Sequence, residues 1–184
     1  MARKESVTHE MLKTTAFSML REEGMENVTA RKLAAKVGCS TQPIFRVYTG
    51  MEDIGEELFQ LSMEYFEAFY QKFPHTEMTP FVNLGLAYIQ FAVEEKHVFR
   101  TLFLSEKRYG KSLYEILNGT GGAVGKEFAV AQNEGCRNPG ELFMKMWILI
   151  HGAATMSLTG DYDLNMDDTR KLLKESYKAF RGLA

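Results

Sequence analysis

Apolar residues recur at three- and four-residue steps along nearly the whole chain, and no stretch shows the period-two alternation of a half-buried strand. That pattern predicts an all-α fold of about nine helices, without internal repeats. Val7, Met11, Thr15 and Met19, beside Leu12, Ala16 and Leu20, mark a first helix that Gly24 stops. A short helix from Thr29 places Leu33, Ala34 and Val37 on one face and ends at Gly38. A long helix starts near Thr49, carries Ile54, Leu58, Leu61, Ser62, Tyr65, Phe66, Phe69 and Phe73, and ends before Pro74; Thr49 and Glu52 have capping-box spacing. Beyond it lie a helix over Phe81–Glu95 and a brief one around Val98, Phe99, Leu102 and Phe103. Residues 111–134 form one helix or two, weakened in the middle by "NGTGGAVG" (118–125). Leu142 to Leu158 is apolar on nearly all sides, and a last amphipathic helix holds Met166, Leu172, Leu173, Tyr177 and Phe180.

A chain of 184 residues can bury the core of one or two domains, and 45% hydrophobic with 25% charged residues is ordinary globular material. No uninterrupted run reaches the roughly 18–20 apolar residues of a bilayer span. "MARKESVTHEML" has no apolar stretch of a secretory signal, so no membrane partner is expected. Cys39 and Cys136 are too few for a disulfide scaffold or a structural zinc site. Neither a metal nor a cofactor is expected, and a reducing, cytoplasmic setting fits. Net charge is −2, but residues 1–50 carry eight Lys/Arg against five Glu, which is +3 and leaves −5 for the remainder. A basic head on an acidic body is compatible with a nucleic-acid-binding module joined to a different domain.

Two local motifs fail on spacing. "GTGGAVGK" (119–126) has Thr120 where a phosphate loop needs its first glycine, and Glu127 follows the lysine. "DYDLNMDD" (161–168) sets Asp161, Asp163 and Asn165 at calcium-loop spacing, but Met166 replaces the glycine and Leu172 the closing glutamate. Four scattered histidines and two distant cysteines form no nucleophile–base arrangement, so an enzyme is not expected.

The first 48 residues read as a helix-turn-helix: three short helices, a tight turn at Gly38, small Ala34 at a close crossing, and Leu33 and Ile44 as apolar anchors. Ser40 is placed to cap the third helix and Pro43 lies in its first turn. The start of that helix would face the major groove, where Gln42 suits adenine and Ser40 and Thr41 suit bases or phosphates. Arg46, one turn on, suits phosphate or guanine; Thr29 and Arg31 can hold the flanking backbone. A plain three-helix bundle with polar caps is the alternative.

"AFSMLREEGMENVTARKLAAKVGCS" and "IFRVYTGMEDIGEEL", within residues 12–58, resemble the DNA-binding head of the TetR family of transcriptional regulators. Glu23, Gly24, Thr29, Leu33, Ala34, Val37, Gly38 and Ser40 match its pattern. Phe45 replaces the usual tyrosine, Val47 a histidine or aromatic, and Met51 a lysine, removing phosphate contacts; Tyr48 is expected to restore one hydroxyl. The resemblance implies a head over 1–48 and an effector-binding, dimerising body over 49–184.

"EKHVFRTLFLSE" (95–106) and "WILIHGAATMSLTG" (147–160), with Trp147, His151 and Gly152, look like one C-terminal domain type of that family. This resemblance implies a homodimer through the last two helices, with Ile148, Gly152, Thr155, Leu172 and Leu173 at the interface. It also implies a small-molecule pocket, for which Phe66, Phe69, Tyr88, Phe99, Phe103, Met144, Trp147 and His151 are the aromatic and soft candidates. The expected function is a repressor that binds a pseudo-palindromic operator in double-stranded DNA and is released by an unknown small-molecule effector. An α-helical small-molecule-binding protein, or an architectural protein without effector control, is the alternative.

Overall fold

A computed structural model describes residues 7–182, and every regular element among them is helical. The helices are α1 (His9–Glu23), α2 (Ala30–Val37), α3 (Ile44–Val47), α4 (Met51–Lys72), α5 (Val82–Glu94), α6 (Lys96–Phe99), α7 (Leu113–Asn118), α8 (Ala123–Asn133), α9 (Pro139–Thr159) and α10 (Met166–Arg181). A 3₁₀ turn, Met25–Asn27, follows α1, and a π-helical segment, Arg100–Leu104, continues α6. They form two compact units. One runs through Met63 and takes in His97–Gly110; the other comprises Glu64–Lys96 and the chain from Lys111 onward. Helix α4 contributes residues to both.

In the first unit α1 packs on α2, and the core there holds Leu12, Ala16, Met19 and Leu20 of α1, Leu33 and Ala34 of α2 and Ile44 of α3, all buried. Thr8 caps α1 by accepting from Met11 N (3.2 Å), and Thr29 caps α2 by accepting from Lys32 N (3.3 Å). Helix α2 ends in a left-handed glycine, Gly38 (φ 75°); Gly38 N donates to Ala35 O (3.2 Å) and Cys39 N to Ala34 O (2.9 Å). These two bonds satisfy the last carbonyls and turn the chain sharply toward α3. At the start of α4, Thr49 N donates to Asp53 (2.8 Å), so the capping partner is Asp53 and not the expected Glu52, which instead pairs with Lys107 (2.7 Å).

In the second unit α5 is almost wholly buried, packed against α9 and α10. Gly85 makes that packing possible. A Cβ there would stand 2.9 Å from side-chain carbons of both Ile150 and Leu173, so any larger residue would push those side chains out of their present packing. Phe66, Phe69, Tyr88 and Phe91 pack edge-on as one aromatic cluster, with ring centroids 5.0–6.1 Å apart. Glu77 ties the segment before α5 to α10 through Arg170 (3.2 Å) and Lys174 (2.8 Å).

The glycine-rich stretch breaks residues 111–134 into α7 and α8. Its backbone donors are already used: Glu67 accepts from Thr120 N (3.1 Å), Thr120 Oγ1 (2.7 Å) and Gly121 N (2.7 Å). The loop that faintly suggests a phosphate cradle thus holds the chain's own carboxylate. By length and composition α9 alone among the described residues could cross a bilayer. It carries Glu141 and Lys145, however, and buries Leu142, Phe143, Met146, Trp147 and Ile150 within the second unit.

Candidate nucleic-acid interface

The helix-turn-helix presents Thr29, Arg31, Ser40, Thr41, Gln42 and Arg46 on its surface, all exposed. Among them the two arginines differ from the neighbouring lysines. Lys36 bonds Glu23 (2.8 Å) and approaches Glu22 (3.5 Å), while Lys32 donates to Asn27 (2.5 Å) and lies 3.6 Å from Glu23. Both glutamates are held below the usual carboxylate range, Glu22 mainly by the Ser18 hydroxyl with Lys36 next and Glu23 mainly by Lys36. Arg31 and Arg46 make no ion pair or side-chain hydrogen bond among the described residues. Of these four cations the two arginines are therefore the ones left open to an anionic partner, and their planar forks suit phosphate and guanine. Sequence reading alone could not separate the four cations, because the Lys36 pairs span a fold contact between α1 and α2.

Two details of the turn depart from expectation. Ser40 does not cap α3; the turn closes on the Thr41 carbonyl, which accepts from Ile44 N (3.1 Å) and Phe45 N (3.3 Å), and Pro43 precedes the helix. Starting one turn later leaves the Ser40 hydroxyl free of any capping duty. Tyr48 also corrects the reading: it is only 7% exposed, and its hydroxyl donates to Glu57. Burial raises the Tyr48 pKa first, with the Glu57 bond next, so this phenol stays protonated and turned inward rather than offered to phosphate. Phe45 (48% exposed), Val47 and Met51 give the same surface an apolar edge.

The aromatic candidates for an effector site separate into groups. Tyr88 Oη lies 2.9 Å from His151 Nδ1, Trp147 stacks on His151 (5.4 Å between centroids) and meets Tyr88 edge-on (4.8 Å), and Phe66 packs on Tyr88. Phe69 joins through Phe91. Phe99 and Phe103 contact each other in the first unit. Met144 is half-exposed on α9, outside the cluster, because it faces away from α5.

The interface candidates separate as well. Ile148 (66% exposed), Gly152 and Leu172 line an apolar groove of about 560 Å³ on α9 and α10, shared with Met156 and Leu164. Thr155 lies half-buried on α9, its hydroxyl bonded to the carbonyls of His151 and Gly152 (2.9 Å each). Leu173 is fully buried against Gly85, so it serves its own subunit's core and not a surface. Among the described residues no cluster of three metal-ligating side chains occurs.

Residues 81–180 match the model of the tetracyclin repressor-like C-terminal domain, slightly more than half of the chain. No curated protein sequence matches significantly. Among solved structures the chain is similar to a protein from Vibrio parahaemolyticus described as a TetR-family transcriptional regulator, at 15% identity and TM-score 0.64, over 93% of this chain and 97% of that one. A TetR-like regulator from Rhodococcus sp. RHA1 follows at 12% identity and TM-score 0.61, over 98% of both chains. A TetR-family protein from Rhodococcus sp. gives 17% identity and TM-score 0.61, over 93% of this chain and 96% of the other. At these identities the likeness is one of fold.

Proposed function

Because the chain belongs to the TetR family of transcriptional regulators, we propose that it is a sequence-specific DNA-binding repressor, acting in the cytoplasm as a homodimer and released by a small-molecule effector. The observation that carries this reading is the pair of exposed arginines, Arg31 and Arg46, unpaired among the described residues and flanking exposed Ser40, Thr41 and Gln42 on the helix-turn-helix. Gln42 reads adenine, Arg46 takes phosphate or guanine, and Thr29 and Arg31 hold the flanking backbone. Residues 1–48 are the head in this reading, and residues 49–184 bind effector and partner.

The groove with Ile148, Gly152 and Leu172 seats the second subunit; an exposed apolar surface of this kind is what a dimer covers. The dimer sets two recognition helices roughly 34–36 Å apart, one DNA turn. An effector shifts the head separation only by its differential affinity for the two states. Helix α4, which has residues in both units, is the lever. The Tyr88–His151 pair supplies a polar handle within the aromatic cluster.

Selection of bound duplexes from a random pool, at two salt concentrations and with Gln42→Ala in parallel, tests the reading. Enrichment of a pseudo-palindrome that the variant loses or relaxes supports it. No enrichment even at low salt, for the free protein and for the protein with a metabolite extract, sinks it.

A further inference from the structure

The first unit contains a cavity of about 390 Å³ that the DNA surface does not use. Its size falls within the range of small-molecule sites. Phe59 and Tyr109, with centroids 5.5 Å apart and tilted by 54°, give it an aromatic wall, and Met25 adds a soft apolar one. Two features hold that wall in place. Tyr109 adopts a positive φ of 49°, unusual outside glycine, and its hydroxyl sits where a Cβ on Gly55 would be, so glycine at 55 in α4 makes room for that hydroxyl. The adjoining wall comes from the π-helical segment that begins at Arg100, a rare geometry concentrated at functional sites.

The charges on the lining are more specific. Lys107 is committed to Glu52 (2.7 Å), and the Thr101 hydroxyl donates to His97 O (3.0 Å). Arg100 and Glu26 are not committed: neither forms an ion pair or side-chain hydrogen bond among the described residues, with each other or with anything else. One cavity thus offers an open guanidinium, an open carboxylate and two aromatic rings. A simple anion would satisfy Arg100 but meet the repulsion of Glu26, and a simple cation the reverse. A dipolar ligand satisfies both.

We propose that this cavity binds a small aromatic amino acid or a related amine-bearing aromatic acid, its carboxylate on Arg100, its ammonium toward Glu26 and its ring against Phe59, Tyr109 and Met25. The assignment stands on the cavity alone and does not depend on the DNA-binding reading. It differs from the aromatic cluster around Tyr88 and Trp147, which belongs to the other unit.

Isothermal titration of the full chain with L-phenylalanine, L-tyrosine and L-tryptophan, each beside its amide and its N-acetyl derivative, tests it. At least one amino acid is expected to bind saturably at one site per chain. Losing a charge-assisted contact should weaken it about tenfold or more in Arg100→Gln, while its amide, which has no carboxylate, is unaffected. Glu26→Gln should weaken the amino acid similarly and spare the N-acetyl derivative. Both side chains are exposed, so the variants keep the fold, and circular dichroism checks this. Met25→Trp, which fills the cavity, should abolish binding. The proposal is overturned by the absence of saturable binding for all three amino acids, by binding that both charge variants leave unchanged, or by binding that needs Arg100 and ignores Glu26.

Discussion

The Tyr48 hydroxyl donates to the Glu57 carboxylate, joining the residue that ends α3 to the second turn of α4. His9 of α1 lies 2.9 Å from the same carboxylate and its ring faces Tyr48 at 5.5 Å, so three segments of the first unit converge on Glu57. The phenol is therefore structural. Tyr48→Phe removes one partner of a charged, part-buried hydrogen bond and should cost about 1.5–3 kcal/mol of stability. Affinity for duplex DNA should stay within about twofold, since no phosphate contact is lost. Urea unfolding and fluorescence anisotropy on the same preparations check both halves; a large loss of DNA affinity in a folded Tyr48→Phe protein would return the hydroxyl to the DNA surface.

Arg31 and Arg46 should account for the salt dependence of DNA binding out of proportion to their number. Arg31 neutralises a phosphate in the proposed complex, so Arg31→Ala should reduce the slope of log affinity against log salt by about 0.9. Arg46→Ala should do the same if Arg46 sits on phosphate and should instead relax base preference if it sits on guanine. Lys36→Ala should leave that slope unchanged, because Glu23 and Glu22 already hold the ammonium. Because these pairs between α1 and α2 are solvent-exposed, the change should leave stability almost unaltered. Anisotropy titrations at four salt concentrations distinguish the arginines from the lysine.

What could be read along the chain was what neighbouring residues decide. The Gly38 turn was legible because its two bonds reach back only to Ala34 and Ala35. Asp53 in place of Glu52 at the start of α4 is a miss of one residue within a correct local pattern. What could not be read were partners set by folding. Tyr48 and Glu57 are nine residues apart across the turn into α4, a spacing no helical period brings together, and the Glu77–Lys174 pair spans 97 residues. Leu173 illustrates the same limit from the other side. Its helix face suits a core or a partner equally, and only its burial against Gly85 of another helix assigns it to the core.

Glu127 gives the second unit a pH dependence of defined sign. Burial pushes its carboxyl above the usual carboxylate range, although Phe81 N donates to it at 2.7 Å. The unfolded chain releases this proton at the ordinary value while the folded chain keeps it to higher pH, so over that window the native state binds more protons. Stability then falls as pH rises through the window, and the penalty is complete above the folded pKa. Glu127→Gln retains an acceptor for Phe81 N without the charge. It should be more stable than the parent at about pH 7 and converge with it below about pH 4, where both side chains are neutral. Urea midpoints across that range measure the difference, and a variant less stable at neutral pH would contradict the assignment.

The groove on α9 and α10 leads to a prediction about assembly. Ile148 and Met156 stand two turns apart on one face of α9 with Gly152 between them, and Leu164 and Leu172 complete an apolar surface that the subunit itself leaves uncovered. Gly152 has open space where a Cβ would project, so a second helix can approach the backbone there. Placing a carboxylate at the centre of a surface that a partner desolvates costs roughly 2–5 kcal/mol, which raises the dissociation constant about thirtyfold or more. Ile148→Glu should accordingly sediment as a monomer at micromolar concentration while keeping its helical spectrum, since the side chain is exposed within the subunit. Met78→Glu, at an exposed site outside the groove, serves as the control and should sediment as the parent does. A dimer that survives Ile148→Glu would place the interface elsewhere.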